Sequence, residues 1–195
     1  MARLLQSKGG FPVAAILMAM VVSGCSTRQP HGEYSGSTAQ RLVTHSIHKF
    51  TRQLSDETFE PLRDQKVLLQ SHAIRDNLSL HYAHDYVTKE LQRRYGIIFV
   101  YEEPDYIVDL FFMSLGTDQD TFGFAIPIVD IFDASQQVTV DLMAIDMYHG
   151  ITEGKVYVTE VSSGAVEARD QVLARVRTDL VSTPVFDFPV NTLEK

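Results

Sequence analysis

One cysteine, Cys25, in 195 residues is the feature that most narrows what this chain can fold into. A single thiol allows no internal disulfide framework and no multi-cysteine zinc or iron–sulfur site, so the fold must rest on apolar burial. The material for that is present. Apolar residues make up 45% of the chain and charged ones 22%, which suits a globular protein rather than a collagen or a disordered tail. The length allows one packed core or two small ones. The position of the cysteine matters as much as its count. Arg3 and Lys8 precede a run, Phe11–Val22, that is apolar throughout apart from Pro12. That run is shorter than the about 20 residues a bilayer core requires, and it suits the apolar region of a signal peptide.

Val22-Ser23-Gly24-Cys25 closes the run and resembles the bacterial lipobox. The resemblance implies that Cys25 is acylated, that residues 1–24 are removed, and that Cys25 becomes the mature N-terminus. Two or three acyl chains, at about 0.8 kcal/mol per buried methylene, make such an anchor stable. Ser26 rather than an aspartate follows the cysteine; by resemblance to Gram-negative lipoproteins, this implies the outer membrane and its periplasmic face. Loss of residues 1–24 removes Arg3 and Lys8 and leaves 15 basic against 25 acidic residues, a formal charge of −10. A nucleic-acid binder or a reader of anionic lipid needs the opposite balance. The partners expected are therefore the membrane, through the lipid, and an envelope protein. Self-association is left open.

Residues 25–36 read as a flexible tether and 37–195 as a single domain. Ser37-Thr38-Ala39-Gln40 matches a capping box, and Ala39, Leu42, Val43, Ile47, Phe50 and Leu54 follow a helical period. An acidic, Pro-containing loop over 55–64 leads to a strand at Lys66–Ala73. A second helix is expected with Leu80, Ala83, Val87 and Leu91 on one face, capped by Asp76, Asn77 or Ser79 and closed by Gly96. Ile97–Tyr101 and Tyr106–Leu115 read as strands, and 116–137 as a long, irregular connection. Val138–His149 and Lys155–Ser162 read as two strands of a hairpin turning at HGITEG, 149–154. Ala165, Val172, Leu173, Val176 and Leu180 suggest a final helix, and 183–195 a tail. The expected class is α+β: a mixed sheet with a long antiparallel hairpin and helices packed on it.

The stretch QKVLLQSHAIRDNLSLHYAHDYVTKELQRRYGIIFVYEEPDYIVDLFFMSLGT, with Pro104-Asp105-Tyr106-Ile107-Val108 opening a strand, looks like the core of small envelope lipoproteins. VTVDLMAIDMYHGITEGKVYV is similar to their later hairpin. The chain thus resembles an uncharacterised family of bacterial lipoproteins. More distantly it is similar in fold to the curli-secretion lipoprotein, the lipoprotein activators of peptidoglycan synthases and the amino-terminal domain of the Tol translocation protein. The resemblance implies fold and compartment; fold alone is weak ground for function.

No nucleophile elbow, phosphate loop or His-Glu-x-x-His motif is present. Ser71 and His72 are adjacent, so on a strand they point to opposite faces and cannot act as a nucleophile–base pair. The expectation is a non-enzymatic protein without cofactor. His45/His48 and His81/His84 have a spacing of three that can chelate a metal on a helix, but no third ligand is identifiable. From Tyr95 to Gly154 there is no Lys or Arg, while eleven carboxylates fall in that stretch. One sheet surface or edge is therefore expected to be negative. Asp118 and Asp120 are candidates for a basic partner or a divalent cation, although two aspartates supply few of the 6–8 oxygens calcium takes. In the 116–137 connection, Gly123 to Val129 is too apolar to lie free in water. Phe124 and Ile126 are expected either to be core residues, with burial of at least one the reading preferred, or to form a partner-binding tip. No pair of alternating 9–11-residue lipid-facing strands is evident, which argues against a pore. The leading function is an accessory or scaffold of a cell-envelope assembly acting by protein–protein contacts. The alternative is a periplasmic module binding a divalent cation or cell-wall material.

Overall fold

A computed structural model describes residues 36–75, 78–129, 137–183 and 185–190. Cys25, the leader and residues 25–35 of the tether lie outside the described residues. The fold is α+β, a mixed six-stranded sheet with helices packed on it. In chain order the elements are α1 (Ser37–Gln53), α2 (Asp56–Phe59), a 3-10 turn (Glu60–Leu62), β1 (Lys66–Ala73), α3 (Leu78–Tyr95), β2 (Ile98–Phe99), β3 (Tyr106–Val129), β4 (Gln137–Glu160), β5 (Val166–Ser182) and β6 (Asp187–Val190). The strand order is β2-β1-β3-β4-β5-β6. β1 pairs in parallel with both β2 and β3, whereas β5 and β6 are antiparallel.

The described chain divides into two compact units, and the boundaries fall within β3, β4 and β5. The larger unit comprises residues up to Gln119 together with Tyr148–Thr178. Its core is built from the apolar face of α1 (Ala39, Leu42, Ile47, Phe50), that of α3 (Leu80, Ala83, Val87, Leu91, Tyr95), and Val67, Val108, Leu110, Phe112, Val156 and Val158 from the strands. Phe50 and Phe112 meet at a ring separation of 5.5 Å, and Phe59 stacks on Tyr95 at 5.9 Å. Ser46 and Thr152, both buried, satisfy each other by a 2.7 Å hydrogen bond between α1 and β4.

The helical and strand periods predicted for α1, β1 and α3 are observed, and Gly96 closes α3 at φ 69. The capping box is not formed. Gly36, at φ 115, is the residue before the helix and no side chain caps it; Ser37 is already helical. Only a glycine enters that backbone region without strain, so the turn into α1 is made by the residue before the box. Asp76 and Asn77 lie outside the described residues, and Ser79 is inside α3 rather than at its cap. The acidic 55–64 loop contains α2, capped by the Ser55 hydroxyl accepting from Glu57 N–H, and the 3-10 turn. Of the Ile97–Tyr101 strand only Ile98–Phe99 forms.

Four expectations are corrected in the second half. The 116–137 connection is not irregular as far as Val129: β3 continues through it. The hairpin at 149–154 does not exist, because β4 is one strand from Gln137 to Glu160. Gly150 and Gly154 serve close approach rather than a turn. A Cβ at Gly150 would stand 2.2 Å from the Leu42 carbonyl oxygen, and one at Gly154 3.0 Å from the Phe50 ring. The final helix is instead β5, where Val172, Ala174 and Thr178 are buried while Gln171, Leu173, Arg175 and Arg177 face water, a period of two. Arg169, Arg175 and Arg177 therefore lie on a strand and not on a helix. The tail begins with a turn and contains β6.

The smaller unit holds, among the described residues, Asp120–Val129, 137–147, 179–183 and 185–190. Thr121 Oγ1 donates to Asp146 at 2.6 Å, and Gly123 lies against Met143 and Ala144. Rising numbers on β3 thus meet falling numbers on β4, the signature of antiparallel neighbours. Asp179 to Ser182 pair with Val190 to Asp187. The long paired strands that were not evident in the sequence are present here.

Candidate interaction surface

The smaller unit exposes apolar side chains in rows. Phe122 and Phe124, two apart on β3 and so on one side of it, are 40% and 47% exposed, with ring centroids 5.6 Å apart. Phe186 and Phe188 form a second exposed pair at 5.2 Å, with Val190 following in the same alternation. A turn holds this second pair in place: Thr183 N–H and hydroxyl both donate to the Phe186 carbonyl, and Phe186 N–H donates back to the Thr183 hydroxyl. Exposed aromatic rings in groups mark interaction surfaces, whereas isolated apolar residues do not.

Phe124 is thus exposed, and the preferred reading, burial of at least one of Phe124 and Ile126, is not met at Phe124. The reason is local. The alternation of β3 puts Phe122 and Phe124 together on a solvent-open side, and between them Gly123 allows close backbone approach of β4. The side chain of Ile126 lies outside the described residues. Asp118 and Asp120 are exposed and share one side of β3. Among the described residues no group of three His, Cys, Asp or Glu side chains is placed to hold a metal ion. Sequence reasoning missed Phe122, Phe186 and Phe188. The alternating Val185-Phe186-Asp187-Phe188-Pro189-Val190 carried a strand signal that the two prolines of the tail obscured.

Several titratable groups elsewhere have local partners. Ser71 contacts His84 Nδ1 at 2.9 Å, while His72 contacts Asp109 at 2.8 Å and stacks on Phe111, so the two neighbours point to opposite faces of β1 as expected. Three carboxylates of the Lys- and Arg-free stretch find other partners: Asp105 accepts from Lys66 N–H, and Asp109 and Asp146 are held by His72 and Thr121. At the end of α3, Tyr95 OH donates to Asp56, which Arg94 also engages. Burial and that hydrogen bond push the Tyr95 phenol up to about 12, and the same bond holds Asp56 below its usual range.

His45 and His48 of α1 stand with Tyr82 and Tyr86 of α3 in a ring cluster. His48 stacks on Tyr86 at 4.0 Å, and its Nε2 contacts the Tyr82 hydroxyl at 2.9 Å. Partial burial, then the charges of His45 and Arg52, lower the His48 pKa, against an opposing pull from Glu90. The unfolded chain therefore binds this proton more readily. His48 contributes stability that is full above about pH 6.5 and declines as pH falls below it. The melting temperature is expected to drop between pH 7.5 and 5.5, with a smaller drop in His48→Gln; equal slopes would contradict the assignment.

No helix among the described residues is long and apolar enough to cross a membrane, which leaves β-strand membrane proteins unaddressed. The chain matches no family model. No curated protein matches it either.

Proposed function

We propose that this chain is a non-enzymatic lipoprotein of the outer membrane. The lipid on Cys25 holds it on the periplasmic face, and it serves as an accessory or scaffold of a cell-envelope assembly through protein–protein contacts. The observation that carries the contact part is the pair of exposed phenylalanine rows, Phe122 with Phe124 and Phe186 with Phe188, in the smaller unit. Aromatic residues are the usual anchors of protein interfaces.

Two experiments test the two parts. Acylation needs the thiol, so Cys25→Ser is expected to abolish lipid labelling and to leave an uncleaved or mislocalised precursor. Wild-type chain released from membranes by salt alone would contradict the anchor. For the contact, full-length chain purified in detergent is compared with its Phe122→Ser/Phe124→Ser variant. The variant is expected to keep its melting temperature and to lose most co-purifying protein. Unchanged co-purification both of other proteins and of an untagged copy of this chain would contradict the contact reading.

A further inference from the structure

We infer that the smaller unit pairs edge to edge with further copies of this chain, β3 of one copy beside β6 of the next. This deepens the contact reading above, on which it rests, by naming the partner. Three observations carry it.

The first is two open edges. β1 accompanies β3 only as far as Phe112, so among the described residues β3 has no neighbouring strand on that side from Met113 to Val129. On the other side the sheet ends at β6. An unpaired strand edge is a template for another chain unless it is blunted by charge, proline or a covering segment. From Thr121 to Val129 no residue is charged. Pro127 on β3 and Pro189 on β6 each remove one donor, which restricts the register more than it prevents pairing.

The second is strand direction. β3 and β4 are antiparallel at Thr121–Asp146. β4 and β5 are joined by a tight turn, in which Glu160 N–H donates to the Ala165 carbonyl and Gly164 N–H to the Glu160 carbonyl. β5 and β6 are antiparallel. Four alternating strands leave β6 running opposite to β3. A copy generated by rotation about an axis along the strands therefore brings its β3 antiparallel to this β6. Every neighbouring pair among strands β3 to β6, within a copy and between copies, is then antiparallel, and the head-to-tail contact can close on itself.

The third is where the apolar surface lies. Among the residues of this unit whose side chains are described, the exposed large apolar ones are Phe122 and Phe124 on β3, Phe186, Phe188 and Val190 on or next to β6, Val185 adjoining it, and Leu142 on β4. Pairing the two edges sets one phenylalanine row beside the other or on the opposite side of the shared sheet. In either arrangement the rows line the seam.

The test uses full-length chain, in detergent, with Cys25→Ser as background. Phe124→Cys is combined in turn with cysteine at each position from 186 to 190, under mild oxidation. We expect at least one double variant to give a disulfide ladder extending beyond the dimer, whereas Phe124→Cys alone gives none beyond it. Phe124→Lys in the wild-type chain should lower the oligomer fraction at least tenfold with its circular dichroism unchanged, its melting temperature falling no further than to that of the wild-type monomer at high dilution. Dimers from Phe124→Cys alone, without a ladder from any double variant, would overturn head-to-tail pairing in favour of β3 against β3. A chain that is monomeric in detergent and in membranes would overturn self-pairing altogether. If that monomer still captured another protein through Phe122 and Phe124, the contact reading would stand without this one.

Discussion

Gly150→Ala is expected to cost about 3 kcal/mol or more, at the upper end of what overpacking a core does. The added Cβ would stand 2.2 Å from the Leu42 carbonyl oxygen and 2.5 Å from its carbon. Both are backbone atoms of α1, so no side-chain rotation relieves the clash. The helix must lift from β4, and that loosens the buried Ser46–Thr152 hydrogen bond and the Phe50 contact over Gly154 further along the same interface. Gly116 supplies the control. A Cβ there meets nothing within 4 Å, and Gly116→Ala should leave stability within about 0.5 kcal/mol. Denaturant midpoints of lipid-free chain beginning at Ser26 decide the matter. If Gly150→Ala and Gly116→Ala behave alike, α1 does not lie against β4 as described.

Phe50→Ala is expected to cost about 3–5 kcal/mol, as for large aromatic residues deleted from a core. Its ring is fully buried, 5.5 Å from Phe112 and directly over Gly154. The same geometry predicts coupling. Gly154→Ala is destabilising because its Cβ would meet the Phe50 ring at 3.0 Å. Removing that ring vacates the space, so Phe50→Ala/Gly154→Ala should cost less than the two single changes added, by about 0.5 kcal/mol or more. Strict additivity would mean the ring does not cover the glycine.

The parts of the fold legible in the sequence are those where one face meets one core. Leu42, Ile47 and Phe50 repeat at helical spacing because α1 buries a single stripe, and Leu80, Ala83, Val87 and Leu91 do the same for α3. β1 was bounded correctly at both ends. What could not be read locally depends on residues far away in the chain. Gly150 and Gly154 look like turn signals, and only the passage of α1 over β4, some hundred residues earlier in sequence, explains them as contact points. β5 fits two periods at once. Val172, Val176 and Leu180 recur at helical spacing, but Val172, Ala174 and Thr178 also alternate, and pairing with β4 selects the second pattern. Leu173, which a helix would have buried, is exposed.

The candidate surface was legible only in outline. The apolar character of 123–129 was plain, and so was its choice between core and contact. The choice itself turns on which side of β3 the phenylalanines occupy, and in the structure that side is open to solvent. Phe186 and Phe188 were hidden because prolines at 184 and 189 read as the end of structure. A proline on an edge strand is compatible with pairing on its other side, as Pro189 opposite Leu180 illustrates.

The denaturant midpoint of Phe124→Ala, measured on lipid-free chain from Ser26 beside wild type, decides whether the aromatic row of the smaller unit is a contact surface or core. A side chain 47% exposed, as Phe124 is, should lose no more than about 0.5 kcal/mol on truncation. A loss of about 2–5 kcal/mol, the range for large-to-small changes in a core, would place Phe124 inside the protein and leave the proposed surface without its centre.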